Sequence, residues 1–462
     1  MDHYLNQDEL DSGMQALATL YPNDCELIAL PNRSIENRTI QAIRIRRKSA
    51  NPSVSILFIG SVHAREWGGA DILFYLASDL LAAFTGNQGL LYQAGGPGRS
   101  FSAAQLAQLR DTLDLFLVPC VNPDGRIYST TVDSLWRKNR NPANNHAGVD
   151  INRNFDFLWD YKKYFAPSVL NVFSMPSDNP VSDTFHGAAA NSEPETKNVV
   201  WLFDQYPQIS FFVDVHSYTG DVLTAWGDAP NQHSNPSMNF LNAAYDGKRG
   251  VDDISTYGEF LTTDSDADAN RLGACITEAI ADVTGEQYAV HQGFYLAPGS
   301  AGGAAGQTYP TAGVSDDYAS SRNGAQGQPS ICALTIEFHK TSSTDWNFAF
   351  HPPFPKMADI IAEIDAGLIA FCLCAAFPPI KIRIPEIVAE ILFGVVEDGG
   401  GVVIIGGKPH PVPPWDPLVA QLAAAMRVYY DAAALPAAEG RTARNAALEA
   451  MRKAIEAAQQ RN

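Results

Sequence analysis

The stretch Ser61-Val62-His63-Ala64-Arg65-Glu66-Trp67 sets an imidazole and a carboxylate three residues apart. An apolar run from Val54 to Ile59 precedes it and reads as a buried strand; an apolar, helix-like segment from about Gly68 to Ala83 follows. A His and a Glu just past a strand end can point at one ion. A catalytic zinc takes three protein ligands and keeps its fourth position open, so a third donor is needed. His216 offers one, at the end of the apolar run from Ile209 to Val215. Glu337 lies inside Leu334-Thr335-Ile336-Glu337-Phe338, where an unpaired charge in a sheet is costly. That leaves two readings of Glu337, a functional carboxylate or half of a buried ion pair. Taken together, His63, Glu66 and His216 complete a two-His, one-carboxylate zinc site, with Glu337 as an unligated base. The arginines of Trp136-Arg137-Lys138-Asn139-Arg140 and Asp150-Ile151-Asn152-Arg153-Asn154-Phe155 read singly as a solvated patch and a polar turn; beside a metal they become anion clamps.

The elements around these residues alternate. A short amphipathic helix is expected from about Asp8 to Leu20, then strands from Glu26 to Leu30 and Thr39 to Arg46, the second half exposed by its alternation. A polar loop is expected from Thr85 to Ser100 and a strand from Leu113 to Val121, ending in the turn Asn122-Pro123-Asp124-Gly125. Residues 126–183 lack periodicity and read as a functional loop system. Ser192-Glu193-Pro194-Glu195 opens a helix, with Ser192 as its cap. Further elements are a strand from Val222 to Trp226, a helix from Ala269 to Val283, a loop from Ala297 to Gly313, a strand from Ile331 to Phe338 and a covering helix from Lys356 to Ala376. The expected fold is α/β, a three-layer α/β/α sandwich around a mixed, mostly parallel twisted sheet, with the chemistry just past the strand ends. Residues 1–377 form the expected catalytic domain. Residues 378–462 are a small, mostly helical C-terminal appendage: a short helix from Ile387 to Val395, a hairpin strand from Val402 to Ile405 between glycines, a linker from Pro411 to Pro417 and alanine-rich helices to Gln460.

The chain of 462 residues is 46% apolar, enough for a sizeable core, and its net charge of −19 argues against nucleic acid, whose phosphates need a basic surface. The longest apolar run, Ala366 to Phe377, is too short to span a bilayer, and no secretory signal is visible, so a cytoplasmic location is the default expectation, with export by a route lacking a signal peptide as the alternative. Six cysteines do not make a disulfide framework at this length. Cys372 and Cys374 flank Leu373 in a helical run and point apart, and Cys120 reads as a small buried hydrophobe.

From about Tyr4 to Phe377 the sequence resembles the zinc metallocarboxypeptidases of the carboxypeptidase A/B type. The landmarks come in order: His63-Ala64-Arg65-Glu66-Trp67, Asn122-Pro123-Asp124-Gly125, Trp136 to Arg140, Asp150 to Phe155, Ser192-Glu193-Pro194-Glu195-Thr196, Asp214-Val215-His216-Ser217-Tyr218 and Thr335-Ile336-Glu337-Phe338. The resemblance implies one Zn2+ per chain on His63, Glu66 and His216, with Glu337 as the general base toward the water that the metal activates. It implies Arg137 beside the scissile carbonyl, and Asn152 with Arg153 gripping the free C-terminal carboxylate of a peptide or protein substrate. Tyr309 aligns with a tyrosine that closes over the bound terminal residue, although Pro310 restricts its motion. Asp316 falls at the floor of the side-chain pocket, which implies a preference for C-terminal Lys or Arg; the plainer reading is that Asp316 or Asp317 caps a turn. Arg65 resembles a supporting arginine further up the groove, with a surface ion pair as its alternative. Two rivals remain: an inactive protein that binds peptide ends, and a carboxypeptidase for a specialised conjugate or cell-wall peptide. With the strand toward His63 already beginning at Val54, activation by cleavage of a pro-segment is not expected from the sequence as it stands. The appendage lies outside the resemblance, either docked on the catalytic domain or serving as a partner-binding arm.

Overall fold

A computed structural model of the chain describes residues 3–296, 307–322, 331–377, 402–405 and 408–411. Two compact units divide it, Met1–Pro379 and Ile380–Asn462.

The first unit is built on eight strands: β1 (Cys25–Ala29), β2 (Gln41–Ile45), β3 (Val54–Gly60), β4 (Leu113–Val118), β5 (Phe211–Ser217), β6 (Asp221–Thr224), β7 (Ala289–Gln292) and β8 (Cys332–Phe338). They form one sheet in the order β1-β2-β4-β3-β5-β8-β6-β7. The four central strands, β4, β3, β5 and β8, are mutually parallel; β2 on one side and β6 on the other run antiparallel to them. Central strands of this kind are covered on both faces, and their residues are apolar nearly throughout.

Alternation along the strands separates two cores. Ile56 and Phe58 of β3, Val213 and Val215 of β5, and Leu334, Ile336 and Phe338 of β8 face the first core. Helices α1 (Gln7–Leu20), α2 (Gly68–Gly86), α3 (Ala103–Thr112), α6 (Thr263–Thr284) and α8 (Phe354–Ala376) contribute buried residues to that core, α6 and α8 lying side by side. Leu57, Ile59, Phe212 and Ala333 face the second core, with Val199, Leu202 and Phe203 of α5 (Pro194–Gln205) and Tyr318 and Ala319 of α7 (Ser315–Ser321). By length and composition α2 could cross a bilayer, yet it is a central helix of the first core, and each Leu or Ile it buries contributes roughly 1.5–3 kcal/mol.

The expected turn at residues 122–125 is instead the start of α4 (Pro123–Thr131). Asn122 caps it, its side chain accepting from the Gly125 N–H at 3.0 Å, and Pro123 takes the first helical position, where its missing N–H costs nothing. At α5 the cap position falls to Glu193 rather than Ser192. The loop expected from Thr85 to Ser100 holds a ribbon, Leu90–Tyr92 against Arg99–Phe101. Spacing gave no hint that Cys374 joins Cys275 in a disulfide, linking α8 to α6 across 99 residues of chain.

In the second unit the described residues make one hairpin, Val402–Ile405 antiparallel to Lys408–Pro411, at the expected strand. The expected helix from Ile387 to Val395, most of the linker expected from Pro411 to Pro417 and the alanine-rich helices to Gln460 lie outside the described residues, as do residues 297–306 of the loop expected from Ala297 to Gly313.

Candidate metal and active site

Strand parity decides which side chains meet. Asp214 and His216 share the face of Phe212 on β5; Thr335 and Glu337 share that of Ala333 on β8, and the parallel register sets Glu337 directly beside His216. From β3 the chain leaves through Ser61, at φ +50°, and turns so that the Glu66 N–H donates to the His63 carbonyl at 3.2 Å. Helix α2 starts so close to the strand end that a Cβ on Gly69 would lie 2.9 Å from the Ser61 nitrogen. That close approach carries His63 and Glu66 over the end of β5.

His63, Glu66 and His216 each present one donor atom, all within 4.8 Å of one another and all on buried residues. Glu66 Oε1 lies 2.8 Å from His63 Nδ1, Oε2 lies 2.9 Å from His216 Nδ1, and the two Nδ1 atoms are 3.1 Å apart. In a tetrahedral shell with bonds of about 2.0–2.1 Å, ligand atoms stand roughly 3.3 Å apart, so spreading by a few tenths of an ångström admits zinc. Two imidazole nitrogens and a carboxylate are a donor set suited to that ion, and the residues fit it. Each imidazole has its own aspartate behind it. His63 Nε2 is 3.3 Å from Asp150 Oδ1, and His216 Nε2 is 2.9 Å from Asp214 Oδ2. Carboxylates so placed fix which ring nitrogen faces the metal.

The electrostatics are those of a charged pocket closed from water. Burial alone would raise the Glu66 carboxyl, but the His63 and His216 imidazoles outweigh it and hold it well below the usual range. Asp150 is likewise depressed, its burial overcome by Arg137 and His63. Arg137 donates to Asp150 Oδ2 from Nε at 3.1 Å and Nη2 at 3.0 Å, so one carboxylate faces both the His63 imidazole and the arginine. Glu337 goes the other way: burial, with Glu66 and Asp221 nearby, pushes it up to about 8 against the pull of His216 and Arg137. A carboxyl raised so far can accept and release a proton near neutral pH.

Asn152 and Arg153 lie on a tight turn, Ile151–Arg153. Arg153 Nε donates to the Ser174 carbonyl at 3.1 Å, and Ser174 Oγ donates to the Pro310 carbonyl at 2.8 Å, tying Arg153 to the loop that carries Tyr309. Gly313, at φ +68°, passes Arg153 so closely that a Cβ would sit 2.3 Å from its carbonyl oxygen. The Tyr309 N–H donates to Phe294 O at 2.6 Å and its ring meets Phe173 edge-on at 5.3 Å. Thr311 and Gly313 are held by Gly227 O and Phe157 O, so this part of the loop is pinned on both sides of Pro310.

Asp316 and Asp317 part company. Asp317 is 1% exposed, and both its oxygens accept from the Gly227 N–H. Asp316 is half-buried, with Oδ2 accepting from Thr335 Oγ1 at 2.9 Å and Oδ1 from the Asp317 N–H. Burial raises its carboxyl above the usual value. Arg65 pairs with exposed Asp183 at 3.2 Å, its guanidinium 4.4 Å from the Phe350 ring centre.

Asp150, Asp214 and Ser315 were given no role by the sequence reading. For Asp214 a signal existed: two residues before His216 on a strand, it must share the face of the imidazole. Ser315 is brought in only by the third dimension.

A family model described as zinc carboxypeptidase matches residues 10–364. Metallocarboxypeptidase A of Arthroderma otae is 32% identical over 227 residues, 48% of this chain and 47% of that protein. A protein of Talaromyces stipitatus named inactive metallocarboxypeptidase ecm14 is 28% identical over 234 residues, 48% of this chain and 35% of its own. The chain thus spans about half the length, or less, of these curated relatives. Among solved structures, thrombin activatable fibrinolysis inhibitor superposes with a TM-score of 0.59 at 17% identity, covering 82% of this chain and 75% of that one, a likeness of fold.

Proposed function

Because the chain belongs to the zinc carboxypeptidase family, its match running over residues 10–364, we propose that it hydrolyses the last peptide bond of a peptide or protein substrate. His63, Glu66 and His216 would hold one Zn2+. When bound, the metal supplies a Lewis acid that polarises the scissile carbonyl and makes a water acidic enough to attack. Glu337 takes the proton of that water and passes it to the leaving amine. Arg137, braced by Asp150, offers its charge to the oxygen that becomes negative. Asn152 and Arg153 grip the terminal carboxylate, and Tyr309 closes over the terminal residue. Arg65 steadies the chain upstream from its place between Asp183 and Phe350. One observation carries the reading: three donors from two distant parts of the chain lie within 4.8 Å of one another, with Glu337 in register beside His216.

Asp316 supports a preference for C-terminal Lys or Arg, because a half-buried carboxylate held by Thr335 gains from a cationic partner. The compartment is proposed on other grounds: the Cys275–Cys374 disulfide favours an oxidising environment over the cytoplasmic expectation.

The test uses the zinc-loaded protein and peptides that differ only in their last residue, with products read by mass spectrometry. Lys and Arg should be released fastest, and amidated peptides should resist. Faster release of Phe than of Lys would refute the acidic pocket. Glu337→Gln should lose roughly 100-fold or more in rate while keeping zinc. A protein that binds these peptides but releases no residue would belong with the relative named inactive.

A further inference from the structure

Behind His216 the hydrogen bonds continue past the aspartate into the helix that carries the pocket floor. Asp214 is 0% exposed and its Oδ2 receives two groups, His216 Nε2 at 2.9 Å and Ser315 Oγ at 2.5 Å. Its other oxygen, Oδ1, is buried without a hydrogen-bond partner among the described residues. The orientation of this carboxylate therefore rests on the imidazole it is meant to orient and on one serine hydroxyl. Ser315 is itself 0% exposed and opens α7, a helix with no side-chain cap, so its hydroxyl is not serving the helix. Its backbone N–H donates to Asn152 Oδ1 at 2.8 Å. An N–H can only donate, so the amide oxygen of Asn152 must face Ser315 and the NH2 group must turn away, to within 3.5 Å of His216 Nε2.

We propose that Ser315 is a positioning residue at the junction of metal site, carboxylate clamp and side-chain pocket. Its hydroxyl holds Asp214 so that Asp214 holds His216 with Nδ1 toward the metal, and its N–H fixes which way the Asn152 amide is turned. A single residue at the start of α7, next to Asp316, thus sets the geometry of two groups on other elements. The inference rests on the zinc reading above and adds to it a link between ligand and pocket that none of the sequence motifs contains.

The two bonds separate in Ser315→Ala, which removes the hydroxyl and keeps the N–H. Zinc affinity, measured on the full chain by equilibrium competition with a chelator, should fall about 10-fold, within the 10- to 100-fold range of losses typical when a partner behind a metal ligand is removed. KM for a fixed peptide at saturating zinc should move less than that. Asp214→Asn should lower zinc affinity at least as far, and the double variant should lose less than the product of the two single effects, because both act through one imidazole. A role confined to filling a buried site would instead lower the melting temperature of the metal-free protein and leave zinc affinity unchanged. That result, or additive losses, overturns the proposal. Should Ser315→Ala fail to fold, Asp214→Asn decides by the same zinc measurement, and an affinity equal to wild type overturns the proposal. Wild-type protein that binds no zinc at all would instead overturn the metal reading itself.

Discussion

Asp365 lies in the middle of α8 at 0% exposure, and neither of its carboxyl oxygens has a hydrogen-bond partner among the described residues. Burial first, and then the nearby charge of Asp79, hold its pKa well above the ordinary value. A raised carboxyl binds its proton more tightly in the folded chain than in the unfolded one. Its contribution to stability is therefore fully present below the unfolded pKa of about 3.9 and is lost as pH rises through the folded value, at about 1.4 kcal/mol per pH unit while the two states differ. Asp365→Asn keeps the shape and removes the charge. It should raise the urea midpoint at pH 7 by the equivalent of at least about 1 kcal/mol, and the gain should vanish near pH 4. An equal gain at both pH values would mean that packing, not ionisation, sets the cost. The contrast with Glu337 shows what a sequence can reveal at this scale. A carboxylate inside the strand from Leu334 to Phe338 is conspicuous because strands advertise their buried face by alternation. Asp365 sits in a helix whose apolar run surrounds it, and nothing in the run tells a charged core residue from a solvated one.

The elements were legible where periodicity was long. Strands β3, β4, β5 and β8 and helices α1, α2 and α8 stand within a few residues of the expected positions, and the residues that carry chemistry follow their ends. Short helices escaped because a cap and a proline, as at Asn122-Pro123, look like a turn until the chain continues past them. The disulfide was invisible for a different reason: Cys275 and Cys374 meet only because α6 and α8 pack side by side. Closing a loop of about 100 residues is worth roughly 4.7 kcal/mol on chain-entropy grounds, although strain commonly reduces the yield. Cys374→Ser should cost about 2–4 kcal/mol in denaturant unfolding under oxidising conditions. Wild-type protein treated with a reductant should converge on the same midpoint, while Cys372→Ala, two residues away and outside the bond, should keep the bond and lose as much on reduction as the wild type does. A variant and a reduced wild type that unfold at different midpoints would show that the bond is not what Cys374 contributes.

At the scale of the molecule, the candidate metal centre joins segments that are 150 residues or more apart in the chain, His63 with Glu66 from β3 and His216 from β5. No such centre exists in the unfolded chain, so any ion it binds stabilises the fold by mass action. At free zinc 1,000 times the dissociation constant, the gain is about 4.1 kcal/mol. The apo state also buries these three ionisable side chains together with Asp150 and Asp214 behind them, a cluster of charges out of reach of water that is costly without the ion. Chelation should therefore lower the melting temperature of the wild type by several degrees, and added Zn2+ should restore it in proportion to the logarithm of its free concentration. His216→Ala should flatten that dependence, because the two donors left on one turn do not close a site. Glu337→Gln should leave the dependence intact, since Glu337 stands beside the donors without being one of them. A zinc-dependent melting temperature that survives His216→Ala would place the ion elsewhere on the molecule. One that disappears in Glu337→Gln would mean that this carboxylate is a ligand and that the proton must be carried by another group.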